Sequence, residues 1–162
     1  MSNAKKVSSL MGQCSYHEDN KAAFKRSGMG LLREVVKLLG LAKGLLVTGN
    51  VQEASQILRR FPASPQFARA EALRPLAEGL QSARAGTLPD ENDQDAAFAN
   101  SIRLAGRGKL LLALDGLLDV LRADKHYRGD RARKVYLAIL EVMGEDDPDT
   151  RQYRADLATV LF

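Results

Sequence analysis

Apolar residues recur at steps of three and four along most of this chain, the spacing that lines one face of an α-helix. From Leu31 onward, Leu31, Val35, Leu38, Leu39, Ala42, Leu45 and Leu46 form the first such face. Gly49-Asn50 stops it, because both residues tolerate the left-handed conformation at a helix end. Val51, Ala54, Ile57, Leu58 and Phe61 form a second face, closed by Pro62 and Pro65. So short a break sets the two helices antiparallel, stripe against stripe. A third helix is predicted over 65–83, with Phe67, Ala70, Leu73, Ala77 and Leu80 inward. Pro65 stands near its first position, where a missing N–H costs nothing. Pro75 removes the bond to the Glu71 carbonyl, which predicts a kink or a break.

The polar stretch AGTLPDEND (85–93) is the clearest loop and the natural boundary between two halves. A helix follows over 94–105, with Ala97, Phe98, Ile102 and Leu104 available for packing, and Gly-Arg-Gly (106–108) breaks it. The next face, Leu110, Ala113, Leu114, Leu117, Leu118 and Leu121, is widened by Leu111 and Leu112, which predicts a helix buried between two neighbours. Asp130 can cap a sixth helix carrying Ala132, Val135, Tyr136, Ile139 and Val142, ended by Gly144. In the last helix Asp147 reads as N-cap, Pro148 as first residue and Asp149 as an acid of the first turn, with Tyr153, Leu157, Val160 and Leu161 inward. No segment alternates with period two, so the chain is all-α, with about seven helices. Residues 1–28 read as an expression scar, Met-Ser-Asn-Ala, then a linker or a short helix of Ala22, Ala23 and Phe24 capped by Asp19 and ended by Gly28 and Gly30. Residues 29–84 hold a first hairpin and a connecting helix, and 90–162 a second hairpin and a C-terminal helix pair.

The two hairpins repeat one another. Leu45, Gly49, Ala54, Leu58 and Phe61 recur as Leu104, Gly108, Ala113, Leu117 and Val120, each 59 residues on. A small residue lets the second helix approach the first, a glycine makes the turn, and larger residues fill the space to the next hairpin. This resembles the tetratricopeptide repeat, and implies antiparallel hairpins stacked in a short right-handed array. The 59-residue interval is not two periods of about 34, so an irregular hairpin lies between.

Residues 41–162 further resemble the helical region of the bacterial thioredoxin-fold co-chaperones, the chaperedoxins. The matching residues are Arg122, Asp124, Tyr127 and Arg128, then Arg131 to Lys134, then Tyr153, Arg154 and Leu161-Phe162, with GNVQEA and GRGKLLLAL resembling two upstream turns. The chain contains no CxxC and no thioredoxin-like stretch, so the resemblance implies no redox role here. It implies a cytoplasmic co-chaperone that holds unfolding protein clients and works with a chaperonin, partly through the last helix. Carried over by position, it implicates Tyr153, Arg154, Leu157, Leu161 and Phe162. An exposed Leu161-Phe162 would be a hydrophobic hook; a covered one would cap the last core.

Composition narrows the chemistry. Apolar residues make up 45% and charged ones 27%, enough for a core and a solvated surface. Leu31–Val47, the most apolar stretch, contains Arg33, Glu34, Lys37 and Lys43, which argues against a membrane span. The single cysteine, Cys14, excludes an internal disulfide and fits a reducing cytoplasm. Cys14 and His17 could be a nucleophile and base, but catalysis also needs an orienting group and a pocket, and an incidental thiol suits the sequence better. His126 reads as a solvated loop residue, and two distant histidines and one cysteine make no zinc pattern. No P-loop or GxGxxG occurs, and EDDPD (145–149) reads as a capping turn before it reads as a cation site. The expectation is therefore binding without catalysis and without a cofactor.

The net charge of +4 permits an acidic partner. Basic residues gather at Arg59-Arg60 and over Lys125–Lys134, where a nucleic-acid-binding regulator is the alternative reading; with 6% aromatics and no tryptophan, a base-stacking platform is not suggested. A carboxylate clamp of the kind some tetratricopeptide domains use is disfavoured, because of the inner positions Leu39, Lys43, Leu46 and Val47 only Lys43 is polar. With Phe98 and Ile102, Leu39 and Leu46 would line an apolar trough for a hydrophobic or amphipathic segment, unless neighbouring helices cover them. A dimer through an open terminal face stays open.

Overall fold

The computed structural model describes residues 28–162, and every regular element among them is an α-helix: α1 (28–47), α2 (Val51–Arg59), α3 (Phe67–Ala85), α4 (Asp93–Gly106), α5 (Leu110–Ala123), α6 (Tyr127–Met143) and α7 (Pro148–Leu161). The chain divides into two units, residues 1–37 and Leu38–Phe162. In the first, residues 28–37 are helical, with Val35 buried and Met29, Leu31, Leu32 and Val36 exposed. Leu31 thus leaves the face predicted for it, and Gly28 and Gly30 lie within a helix instead of ending one. Cys14, His17 and the short helix expected after Asp19 lie outside the described residues.

Within Leu38–Phe162, the repeat read from the sequence recurs in the two hydrogen bonds that close each turn. The Asn50 N–H donates to the Leu45 carbonyl at 2.8 Å and the Gly49 N–H to that of Leu46 at 3.3 Å. Fifty-nine residues on, the Lys109 N–H donates to the Leu104 carbonyl and the Gly108 N–H to that of Ala105, both at 3.0 Å. This paired closure of a helix end needs a left-handed residue, and Gly49 (φ +80°) and Gly108 (φ +74°) supply it. The two turns also face each other. A Cβ on Gly49 would lie 3.4 Å from the Gly106 carbonyl oxygen, and one on Gly108 would lie 3.5 Å from that of Val47. Ala54 and Ala113 are fully buried, as are their partners Leu58 and Leu117.

Two further glycines bring helices close. A Cβ on Gly79 of α3 would meet Ile102 Cδ1 of α4 at 2.9 Å, and one on Gly116 of α5 would overlap the Ser101 hydroxyl oxygen. α4 is thereby pressed between α3 and α5. α3 packs on α2, α4 and α6, so it covers one side of the core. It begins at Phe67, after Pro65 has turned the chain, and Phe67 is exposed instead of inward. It also runs unbroken through Pro75, against expectation. An interior proline costs about 3 kcal/mol. Leu73 and Leu76 on either side are buried, at roughly 1.5–3 kcal/mol each, and outweigh it. On α5, Leu111 and Leu112 are exposed, so its buried stripe is narrower than predicted; the helix is covered by α4, α6 and α7 and buries Ala113, Leu114, Leu117, Leu118, Val120 and Leu121.

The start of α6 departs most from expectation. Arg128, Gly129 and Asp130 all have left-handed backbone, so Asp130 (φ +65°) is no N-cap; its Oδ1 pairs with His126 Nδ1 at 2.9 Å instead. The turn is held from α4. Asn92 caps that helix, accepting the Asp95 N–H at 2.9 Å, and buried Asp95 accepts the Glu91 N–H at 3.2 Å. The same carboxylate takes a bidentate pair from Arg128, Nε at 3.0 Å and Nη2 at 2.7 Å, and the Tyr127 hydroxyl. Arg128 therefore serves a buried acid and is not part of a free basic patch. Hydrogen bonds from Arg128, then from Tyr127, hold the Asp95 carboxyl down at about 2. Burial, then the bond to Asp95, pushes the Tyr127 phenol up to about 12, so it stays a donor at neutral pH.

Two outcomes follow. Because Asp95 is more acidic folded than unfolded, its contribution is complete above the ordinary carboxylate range near 4 and disappears as pH falls towards 2. The urea midpoint should fall between pH 4 and pH 2, and Asp95→Asn should flatten that fall; an unchanged slope contradicts the assignment. At α4–α5, Gly116→Ala gains helix propensity of about 1 kcal/mol but overpacks Ser101, a cost of about 1–3 kcal/mol, so it should destabilise. Combined with Ser101→Ala, the added methyl has room, and urea melts should show the loss recovered; additive losses would contradict the packing.

Candidate protein-docking groove

The last helix is fastened at a few points. Asp147 caps α7, accepting the Asp149 N–H at 2.8 Å and the Thr150 N–H at 3.4 Å, with Pro148 in the first turn as its sequence requires. Of its fourteen residues only Thr150 and Leu157 are buried. Polar bonds supply the rest. The buried Tyr136 hydroxyl of α6 donates to the Tyr153 carbonyl at 2.7 Å, and the Tyr153 hydroxyl donates to Asp115 of α5 at 2.7 Å. Burial, then the bond to Asp115, pushes the Tyr153 phenol up to about 12; burial raises Tyr136 as well. Both phenols therefore hold their protons at neutral pH and keep donating. At the far end, Lys125 Nζ donates to the Leu161 carbonyl at 3.1 Å.

Held in this way, α7 leaves a groove against α3 and α6. Leu137 of α6, Leu157 and Leu161 form its apolar floor, Ala72 of α3 and Ala158 keep it open, and Phe162 stands at its edge. Its volume is about 390 Å³. Leu137 is 42% exposed and Phe162 fully exposed. Two charged groups border it. Glu141 takes both Lys43 Nζ and Arg69 Nε at 2.8 Å and is largely buried. Arg154 reaches Glu145 at 3.8 Å and stays half-exposed.

The residues singled out from the sequence separate into two groups. Arg154, Leu157, Leu161 and Phe162 meet in the groove, with Tyr153 bonding behind them. Leu39, Leu46, Phe98 and Ile102 do not form an open trough: all four are core residues. Phe98 is covered by the Tyr127 ring, centroids 5.2 Å apart, with the Arg131 guanidinium 5.6 Å from its face, and Ile102 fills the space beside Gly79. Lys43 is spent on Glu141. Sequence reasoning missed Leu137, whose one visible signal was a leucine off the apolar stripe of its own helix. Among the described residues no helix is long and apolar enough to cross a membrane, and no three His, Cys, Asp or Glu side chains are grouped to hold a metal.

No curated protein and no solved structure matches this chain. A family model, Tetratricopeptide repeat, matches residues 74–162, more than half of the chain. That span holds the glycine-108 turn, the α4–α5 hairpin and the whole α6–α7 pair. Stacked helical hairpins of this kind bind other proteins, and with the match and the geometry in agreement, the chain belongs to the tetratricopeptide repeat family.

Proposed function

We propose that this chain is a co-chaperone that binds unfolding polypeptides, or a chaperonin, through the groove of α7, and that it does so in the cytoplasm by binding alone, without catalysis. The observation that carries this reading is Phe162, fully exposed beside an exposed Leu137 at an apolar groove. Large apolar side chains left in water at one place mark a binding surface. Covering one such side chain contributes about 1.5–3 kcal/mol, so a client segment seated on both gains useful affinity without any directional bond. Arg154 at the rim would steer the approach more than strengthen the complex. The resemblance of residues 41–162 to the helical region of the chaperedoxins supports the same reading, since Tyr153, Arg154 and Leu161-Phe162 are among the residues that carry it.

The test is aggregation of a chemically denatured enzyme followed by light scattering, without ATP. The chain at several-fold molar excess should suppress scattering. Phe162→Asp with Leu137→Asp should abolish most of that effect while leaving the helical circular dichroism intact, since both side chains face solvent. No suppression by the parent chain, or equal suppression by the double variant, contradicts the proposal.

A further inference from the structure

The two glycine turns create a second surface, away from α7. Where they meet, Arg84 at the end of α3 and Arg103 and Arg107 at the end of α4 converge on one hollow, whose floor is Gly49, Gly106 and the side chains of Leu80 and Ile102. No acidic residue lines it, and among the described residues none of the three arginines has a carboxylate within ion-pair distance. Arg103 stands in the last turn of α4 and Arg107 just past its end, four residues on, and like charges brought this close repel. Arg84 is already oriented, because its Nη2 donates to the Gly49 carbonyl.

Helix dipoles explain part of this, since cations suit the C-terminal ends of α1, α3 and α4. Each end carries roughly half a negative charge, however, so three guanidiniums outweigh three ends by about two to one. Those ends are also partly satisfied, by the Gly49, Asn50, Gly86, Thr87, Gly108 and Lys109 N–H groups. A positive excess remains, open to solvent, with Arg84 held in place.

The geometry points to a docking site for an acidic polypeptide segment, one whose Glu or Asp carboxylates pair with the guanidinium forks of Arg84, Arg103 and Arg107. The hollow, about 190 Å³, is smaller than pockets for whole small molecules, roughly 300–1,000 Å³, and suits single side-chain carboxylates of a longer chain. No aromatic ring lines it, so it offers no stacking surface for a nucleic-acid base. Guanidinium forks bind planar carboxylates bidentately, and one that is pre-oriented loses less freedom on binding.

Fluorescence anisotropy with a fluorescein-labelled hexaglutamate peptide at about 0.15 M salt tests this. The intact chain should bind it, and affinity should fall about tenfold or more in Arg103→Ala/Arg107→Ala. Removing two equally exposed cations elsewhere, Arg133→Ala/Lys134→Ala, should change it less than about twofold, as screening of remote charges requires. Absence of binding, or equal losses in the two double variants, overturns the site. So does an oligothymidylate of the same charge that binds more tightly than hexaglutamate through the same arginines. Because no client aggregation is measured, this site and the α7 groove can fail independently.

Discussion

Two glycine turns pressed against each other are the constraint on which the other features depend. Each turn ends one helix and starts the next, and each lies so near the other that a Cβ on its glycine would touch a backbone carbonyl oxygen there: that of Gly106 beside Gly49, that of Val47 beside Gly108. Helices leaving such a junction have little choice of direction. Ala54 and Ala113 then let the second helix of each pair approach the first, and Gly79 and Gly116 do the same for α3 and α5 against α4. Side-chain bulk is removed wherever helices must come close and retained where they fill a core.

That junction also positions the surface features of the molecule. By drawing the ends of α3 and α4 together it gathers three arginines around one hollow, and α3 is left lying across α6. The α3–α6 contact, with Glu141 shared by Lys43 and Arg69, forms one wall of the groove that α7 completes. α7 is itself attached by two buried side chains and a set of phenol and lysine bonds, which places it among the less deeply anchored elements of the fold.

Much of this was legible in the chain, and the reasons are specific. The Gly49 and Gly108 turns could be read because glycine has a backbone role few other residues can fill, and because the same neighbours recur 59 residues on. Asp147-Pro148 could be read because capping is local. What could not be read depended on contacts between distant segments. Leu39, Leu46, Phe98 and Ile102 have the apolar spacing of a groove or of a core, and only the packing of α3, α4 and Tyr127 decides for Phe98 and Ile102. The left-handed turn at Arg128 and Asp130 is unfavourable alone and persists because Asp95, more than thirty residues earlier, holds it. Likewise Pro75 fails to break α3 because of leucines that its local sequence cannot weigh.

The measurement that bears most directly on this account is the stability of Gly49→Ala, Gly108→Ala and the double variant in urea. A side chain at these left-handed positions, φ +80° at Gly49 and +74° at Gly108, costs about 1–2 kcal/mol each. The account predicts such a loss for each single variant and a loss in the double at least equal to their sum. If either variant is as stable as the parent chain, the paired turns are not what holds these helices in register.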